Sequence, residues 1–307
     1  MSNIPVTSRR VEFPRSALTN LMPKSFLILI FATLFCSVSR ADVEIVTTIK
    51  PLQLIAQAVV RDHGSVSSIL DPRQSPHHFT MSPSDRIALA RADMTIWIGP
   101  QFETFLSDFF AQTAIEAKSI TALDLPGLRL HRLAGNQVDA HLWLDSANAV
   151  SIATAIMRRV VELDPGNAAA YRLNLERFES EIESRNRDIA ERFRAPPKAS
   201  YAVYHNAYQY FEKQFGLQHS MVILRDPEMQ PSIREIVQLR NEVERVQPAC
   251  LLLEFDSSED LLSTVLNGYE LKMITVDLLG SSVSSAEDGF AEFITNLADD
   301  FHRCLYE

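Results

Sequence analysis

Residues 164–197 read DPGNAAAYRLNLERFESEIESRNRDIAERFRAPP. Pro165 stands near the start and Pro196–Pro197 close the stretch, with no proline between them. Leu175, Phe178, Ile182, Ile189 and Phe193 fall on one stripe at spacings of three, four and seven, and the remaining faces are charged. Such a helix of roughly 30 residues would be about 45 Å long, which is long for a globular protein. Its position near mid-chain, between two segments of a different pattern, predicts a helix that bridges two lobes.

Working outward, both flanks alternate strand and helix. On the N-terminal side VEIVTTI reads as a buried strand, PLQLIAQAVV as a helix with proline in its first turn, and SVSSIL (65–70) as a second strand. SPSDRIALARAD then opens with a helix start signal: Ser82 at the N-cap, Pro83 at the first helical position and Asp85 at N3. MTIWIG (94–99) is a third strand, and SANAVSIATAIMRRVVELD a helix ending near Asp164. On the C-terminal side the strands are YAVYH (201–205), SMVIL (220–224), CLLLEF (250–255) and KMITVD (272–277). Helices separate them, and GFAEFITNLADDFHRCL is the last helix. The alternation predicts mainly parallel sheets covered by helices. The expected fold class is α/β: an N-terminal lobe over 42–163, the bridging helix over 164–197 and a C-terminal lobe over 198–307.

The chain has 307 residues, 46% hydrophobic and 22% charged, as a globular protein should. Its net charge of −10 argues against retention on nucleic acid through phosphate contacts and leaves a cationic ligand open. MPKSFLILIFATLFCSVSRAD combines a lysine, an apolar run and small residues ending in SRA. That is the pattern of a secretory signal peptide cut between Ala41 and Asp42, with Met22 a candidate start. An N-terminal anchor is the alternative, although the run is short for a membrane span. Residues 1–41 carry five Lys/Arg and one Asp/Glu, so the remainder holds 24 against 38, a net charge of −14. It also retains Cys250 and Cys304, which in an exported protein suggest one disulfide; two buried thiols are the alternative.

Of the eight histidines, His77 follows the second strand, His141 begins HLWLD after a loop, and His205 ends YAVYH. Asp277 ends KMITVD in the same way. Ligands of open α/β sheets bind beyond the carboxyl ends of the strands, so these four residues, two from each lobe, are candidates to converge on the inter-lobe cleft. Three imidazoles and a carboxylate suit tetrahedral zinc. The positions are scattered, and a histidine at a strand end is often only a hydrogen-bonded loop residue.

TTIKPLQLIAQAV, SPHHFTMSPSDRIALARADMTIWIGPQFETFL, DAHLWLD, YAVYHNAYQYFEKQFGL and DPEMQPSIREIVQLRNEVE together resemble the periplasmic zinc-binding proteins of Znu-type ABC importers, in order and spacing across the mature chain. The resemblance implies two α/β lobes on a rigid helix, a disulfide between Cys250 and Cys304, and Zn²⁺ as the transported ligand. It implies His77, and not His78, as the first metal ligand, His141 and His205 as the second and third, and Asp277 as a fourth, with Glu254 or water as alternatives. It also implies a monomeric periplasmic carrier that serves an ABC permease, with no enzymatic activity and no membrane insertion of the mature chain. One departure stands out: LPGLRLHRLAGNQVDAH is short and holds only His131 before the ligand, where relatives often carry a histidine-rich loop. Competing readings are a manganese- or iron-binding homologue, a metal-binding adhesin and a periplasmic zinc hydrolase, the last lacking a recognisable general base. Edman or mass-spectrometric analysis of the exported protein should find Asp42 as its first residue; a retained residue 22–41 segment would instead mean an anchor.

Overall fold

In the computed structural model, residues 42–76, 79–133, 135–197, 199–225 and 229–307 are described; the expected leader and His77 lie outside them. The N-terminal lobe is built from β1 (Val43–Thr47), α1 (Lys50–Val60), β2 (Gly64–Ser68), α2 (Pro83–Arg91) and β3 (Met94–Trp97). It continues through two short helices, α3 (Ser107–Phe110) and α4 (Thr113–Glu116), to β4 (Ser119–Thr121). After α5 (Ser146–Leu163) and α6 (Ala168–Arg192) the second lobe runs β5 (Tyr201–His205), α7 (Gln209–Phe215), β6 (Met221–Leu224), α8 (Ile233–Val246) and β7 (Cys250–Leu253). It ends with α9 (Glu259–Val265), β8 (Lys272–Thr275) and α10 (Gly289–Tyr306). The strands form two parallel four-stranded sheets, ordered β2-β1-β3-β4 and β6-β5-β7-β8. Each order reverses beside its first strand, so each sheet has a switch point, between β1 and β3 and between β5 and β7, where a crevice opens at the carboxyl ends.

Local signals explain the elements. Ser82 caps α2 through the amide of Asp85, the Asp85 carboxylate accepts from the Ser82 amide, and Pro83 sits in the first turn. The long helix is shorter than the sequence predicts, 25 residues or about 38 Å. Asp164, pushed toward extended backbone by the following proline, ends α5, and Pro165–Asn167 form a 3₁₀ turn before α6 begins. Its expected stripe is nonetheless the buried face: Leu175, Phe178, Ile182, Ile189 and Phe193 are all inside.

The two lobes share a core. A single cluster of buried side chains runs from Val43 and Ile45 of β1 through Tyr171 and Phe178 to Val203, Leu252, Phe290 and Leu305. α1 is apolar nearly all round because it packs on its own sheet, on α5 and α6, and on α10 of the other lobe. Polar ties follow the same seam: Lys50 Nζ donates to the carbonyls of Ser281 and Val283, and Arg61 pairs with Glu287. The Cys250–Cys304 disulfide, with Cα atoms 5.6 Å apart, fastens α10 to β7. Among the described residues, no helix is long and apolar enough to cross a membrane.

The seam is tightest at Gly289, where a β-carbon would lie 2.7 Å from the Ser284 carbonyl and 2.9 Å from Leu54 Cδ2 of α1. Gly289→Ala should therefore destabilise the protein by about 1–3 kcal/mol, as overpacking does. Urea denaturation measures this, and an unchanged midpoint would refute the close fit.

Candidate metal centre

His205 ends β5 at the switch point of the second sheet, and Glu254 follows β7 on the other side of that crevice. His141 reaches them from the first lobe. It precedes the 3₁₀ turn Leu142–Leu144, whose three side chains are fully buried, and the turn is locked from behind by Asp145, which caps α5 by accepting from the amides of Ala147 and Asn148. The Trp143 indole donates to the Leu278 carbonyl at 3.4 Å, tying this turn to the second lobe. Phe102 meets both His141 and Trp143 edge-on. Its loop is held by Glu103, whose buried carboxylate accepts from Thr48 and from the amides of Ile98 and Gly99. Burial pushes the Glu103 carboxyl up to about 7 despite these donors.

The two imidazoles face each other with Nε2 atoms 3.3 Å apart, 6% and 7% exposed. A zinc ion about 2.0–2.1 Å from each nitrogen, at a tetrahedral angle, sets the nitrogens roughly 3.3–3.4 Å apart, so this spacing is one edge of a zinc tetrahedron. On the far side of each ring lies a carboxylate. His141 Nδ1 is 2.7 Å from Asp139 Oδ1, and His205 Nδ1 is 3.3 Å from Glu254 Oε1. An ionised carboxylate only accepts, so the Asp139 contact puts the hydrogen of a neutral His141 on Nδ1 and leaves the lone pair of its Nε2 facing His205. Burial, the largest single influence, opposes charging of His205, but the carboxylates of Glu254, Asp256 and Asp139 together outweigh it and hold the imidazole above its ordinary value of 6.5. On one side the rings border a cavity of ≈ 30 Å³, room for an ion or a water, and on another they line a larger cleft of ≈ 1040 Å³ with Pro100, Gln137 and Asn206.

Of the residues expected from the sequence, the structure brings together His141 and His205. His77 lies outside the described residues, although Pro76, just before it, lines the same cavity. Among the described residues no group of three or more His, Cys, Asp or Glu side chains is assembled to hold a metal. Asp277 is not brought to the histidines. Its neighbours Val276 and Leu278 face the cavity, and Asp277 turns the other way, into a hollow bordered by Thr275 and Arg303. There its carboxylate accepts from the amides and hydroxyls of Ser281 and Ser282. Glu254 is nearer but engaged: Tyr208 donates to Oε1, and the Ser257 hydroxyl lies 3.5 Å from Oε2. Sequence reasoning passed over Asp139, Phe102 and Glu103. The only available signal for Asp139 was its place two residues before His141.

Comparison with known proteins agrees with this geometry. Residues 45–304 match the family described as zinc-uptake complex component A, periplasmic. The high-affinity zinc uptake system protein ZnuA of Yersinia pestis is 29% identical over 293 residues, covering 86% of this chain and 92% of that one. Its counterpart in Brucella abortus (strain 2308) is 28% identical over 325 residues, covering 91% and 97%. In fold, a crystal structure of ZnuA is similar with a TM-score of 0.74 at 21% identity, covering 86% of this chain and 99% of that one. With the match running through both lobes and the histidine pair between them, the chain belongs to the family of the periplasmic component A of zinc-uptake complexes.

Proposed function

We propose that this chain is the exported zinc-binding component of an ABC metal importer, a monomeric periplasmic carrier that captures Zn²⁺ and delivers it to a membrane permease. The observation that supports this most is the pair of inward-facing Nε2 atoms at the spacing of a zinc tetrahedron's edge. His141 and His205 supply two ligands and His77 the third. Water takes the fourth position, because Asp277 and Glu254 both spend their oxygens on protein donors. Imidazole donors favour zinc over manganese, which prefers carboxylate oxygens. The net charge of −14 over residues 42–307 raises the local concentration of cations around the cleft. Carriage needs no general base or nucleophile.

Isothermal titration of residues 42–307 should give one zinc per chain. His141→Ala and His205→Ala should each weaken binding by more than the roughly 100-fold that outer partners of a metal site reach, whereas His78→Ala should leave it nearly intact. Stoichiometric zinc binding that survives the double His141→Ala/His205→Ala replacement would sink the site assignment. The pH dependence has a defined sign. Zinc competes with protons for the imidazoles, so affinity falls as pH falls. Because His205 holds its proton above the ordinary value of 6.5, the decline should already have begun on the alkaline side of that value. Titrations between pH 8 and 5.5 measure it; a flat profile would mean that the ligands are not histidines.

A further inference from the structure

On the reading just given, the metal-facing nitrogens are the parts that touch the ion, and something must hold them there before it arrives. We infer that Asp139 is the positioning residue of the centre, fixing the orientation and tautomer of His141 and strapping it to the helix that follows His205. The Asp139 side chain is fully buried, and every oxygen it carries is used. Oδ1 accepts from both the backbone amide and Nδ1 of His141, at 3.0 and 2.7 Å. Oδ2 accepts from Gln209 Nε2 at 2.6 Å, and the backbone carbonyl accepts from the Tyr210 hydroxyl at 2.7 Å. Gln209 and Tyr210 open α7, four and five residues after His205. A single residue of the first lobe thus grips one proposed ligand directly and, through two side chains, the element next to the other.

Two physical consequences follow. Paired hydrogen bonds from amide and ring to one carboxylate oxygen leave the imidazole a single orientation, with hydrogen on Nδ1 and the lone pair of Nε2 aimed at His205. Such outer carboxylates also raise the basicity of the ligand. The second consequence concerns charge. Among the described residues, the only ion-pair partner within reach of Asp139 is His141 itself, and that of Glu254 is His205; neither carboxylate has a Lys or Arg. Two buried carboxylates without a basic side chain are costly, and a dication bound between the two imidazoles compensates both through the rings. Asp139 accordingly acts as more than a structural strut: its carboxylate makes the centre electrostatically suited to a cation.

The test uses residues 42–307 with wild type, Asp139→Asn, Gln209→Ala and His141→Ala, titrated with Zn²⁺ against a chromophoric chelator. Imidazole ¹⁵N spectra of the zinc-free proteins supply the second readout. Wild type should show His141 with hydrogen on Nδ1. Asp139→Asn is isosteric, but its amide removes the charge and is free to donate to Nδ1. It should shift His141 toward the tautomer with hydrogen on Nε2 and weaken zinc binding roughly 10–100-fold. Gln209→Ala, which cuts only the cross-lobe strap, should keep the tautomer and lose less affinity. Wild-type affinity and tautomer in a folded Asp139→Asn would overturn the inference, as would a wild-type His141 with hydrogen on Nε2. Should Asp139→Asn fail to fold, the wild-type tautomer decides alone. The failures separate cleanly: if His141→Ala keeps zinc affinity, the metal-site reading falls; if it loses affinity while Asp139→Asn does not, only the role of Asp139 falls.

Discussion

Two ring nitrogens that belong to different lobes, one on a 3₁₀ turn and one at the end of a strand, stay 3.3 Å apart only if the lobes themselves do not move against each other. That requirement organises the molecule. A short contact between rigid, buried rings tolerates errors of a few tenths of an ångström, far less than the play of a hinge between independently packed domains. The chain meets it by never separating the two cores. α1 of the first lobe lies on α10 of the second, α5 and α6 close the gap between them, and the buried cluster passes through all four. The bridging helix is thus one wall of a common interior, and its charged outer face is the solvated side of that wall.

Much of this was legible in the sequence. The strand–helix alternation, the Ser82–Asp85 start signal and the apolar stripe of α6 are local patterns with local causes, and the structure realises each of them. The start of α6 was misplaced because Pro165 near the beginning of a helix and Pro165 in a separate 3₁₀ turn are written with the same letters. Asp277 shows a harder limit. It shares with His205 the end of a strand, and sequence position alone treats them alike. Which way a side chain turns after the last ladder bond depends on what the following residues offer, and here Ser281 and Ser282 present four donors. Asp139 was illegible for a related reason: its partners Gln209 and Tyr210 lie about 70 residues away, and nothing local marks them.

The two switch points make an instructive pair. In the second sheet the crevice holds His205 and Glu254, and in the first it holds Thr48 and Glu103. Each places a buried carboxylate beyond the central strands, in the position where doubly wound sheets bind ligands. Only one of the two lies beside the histidine pair. In the first lobe the crevice is filled by protein: Glu103 turns its oxygens on Thr48 and on the loop amides, and the loop delivers Phe102 to the flank of His141. The two halves of an internal near-symmetry thus use the same position differently.

The seam at Gly289 carries a further consequence. With Leu54 seated against a residue that has no side chain, and Lys50 and Arg61 tied across the same line, neither lobe presents a finished surface of its own. Melting one half would expose the apolar flank of the other, so heat or a protease meets a single cooperative object. A damaged copy therefore does not linger as one intact lobe beside an unfolded one. It is either whole or gone.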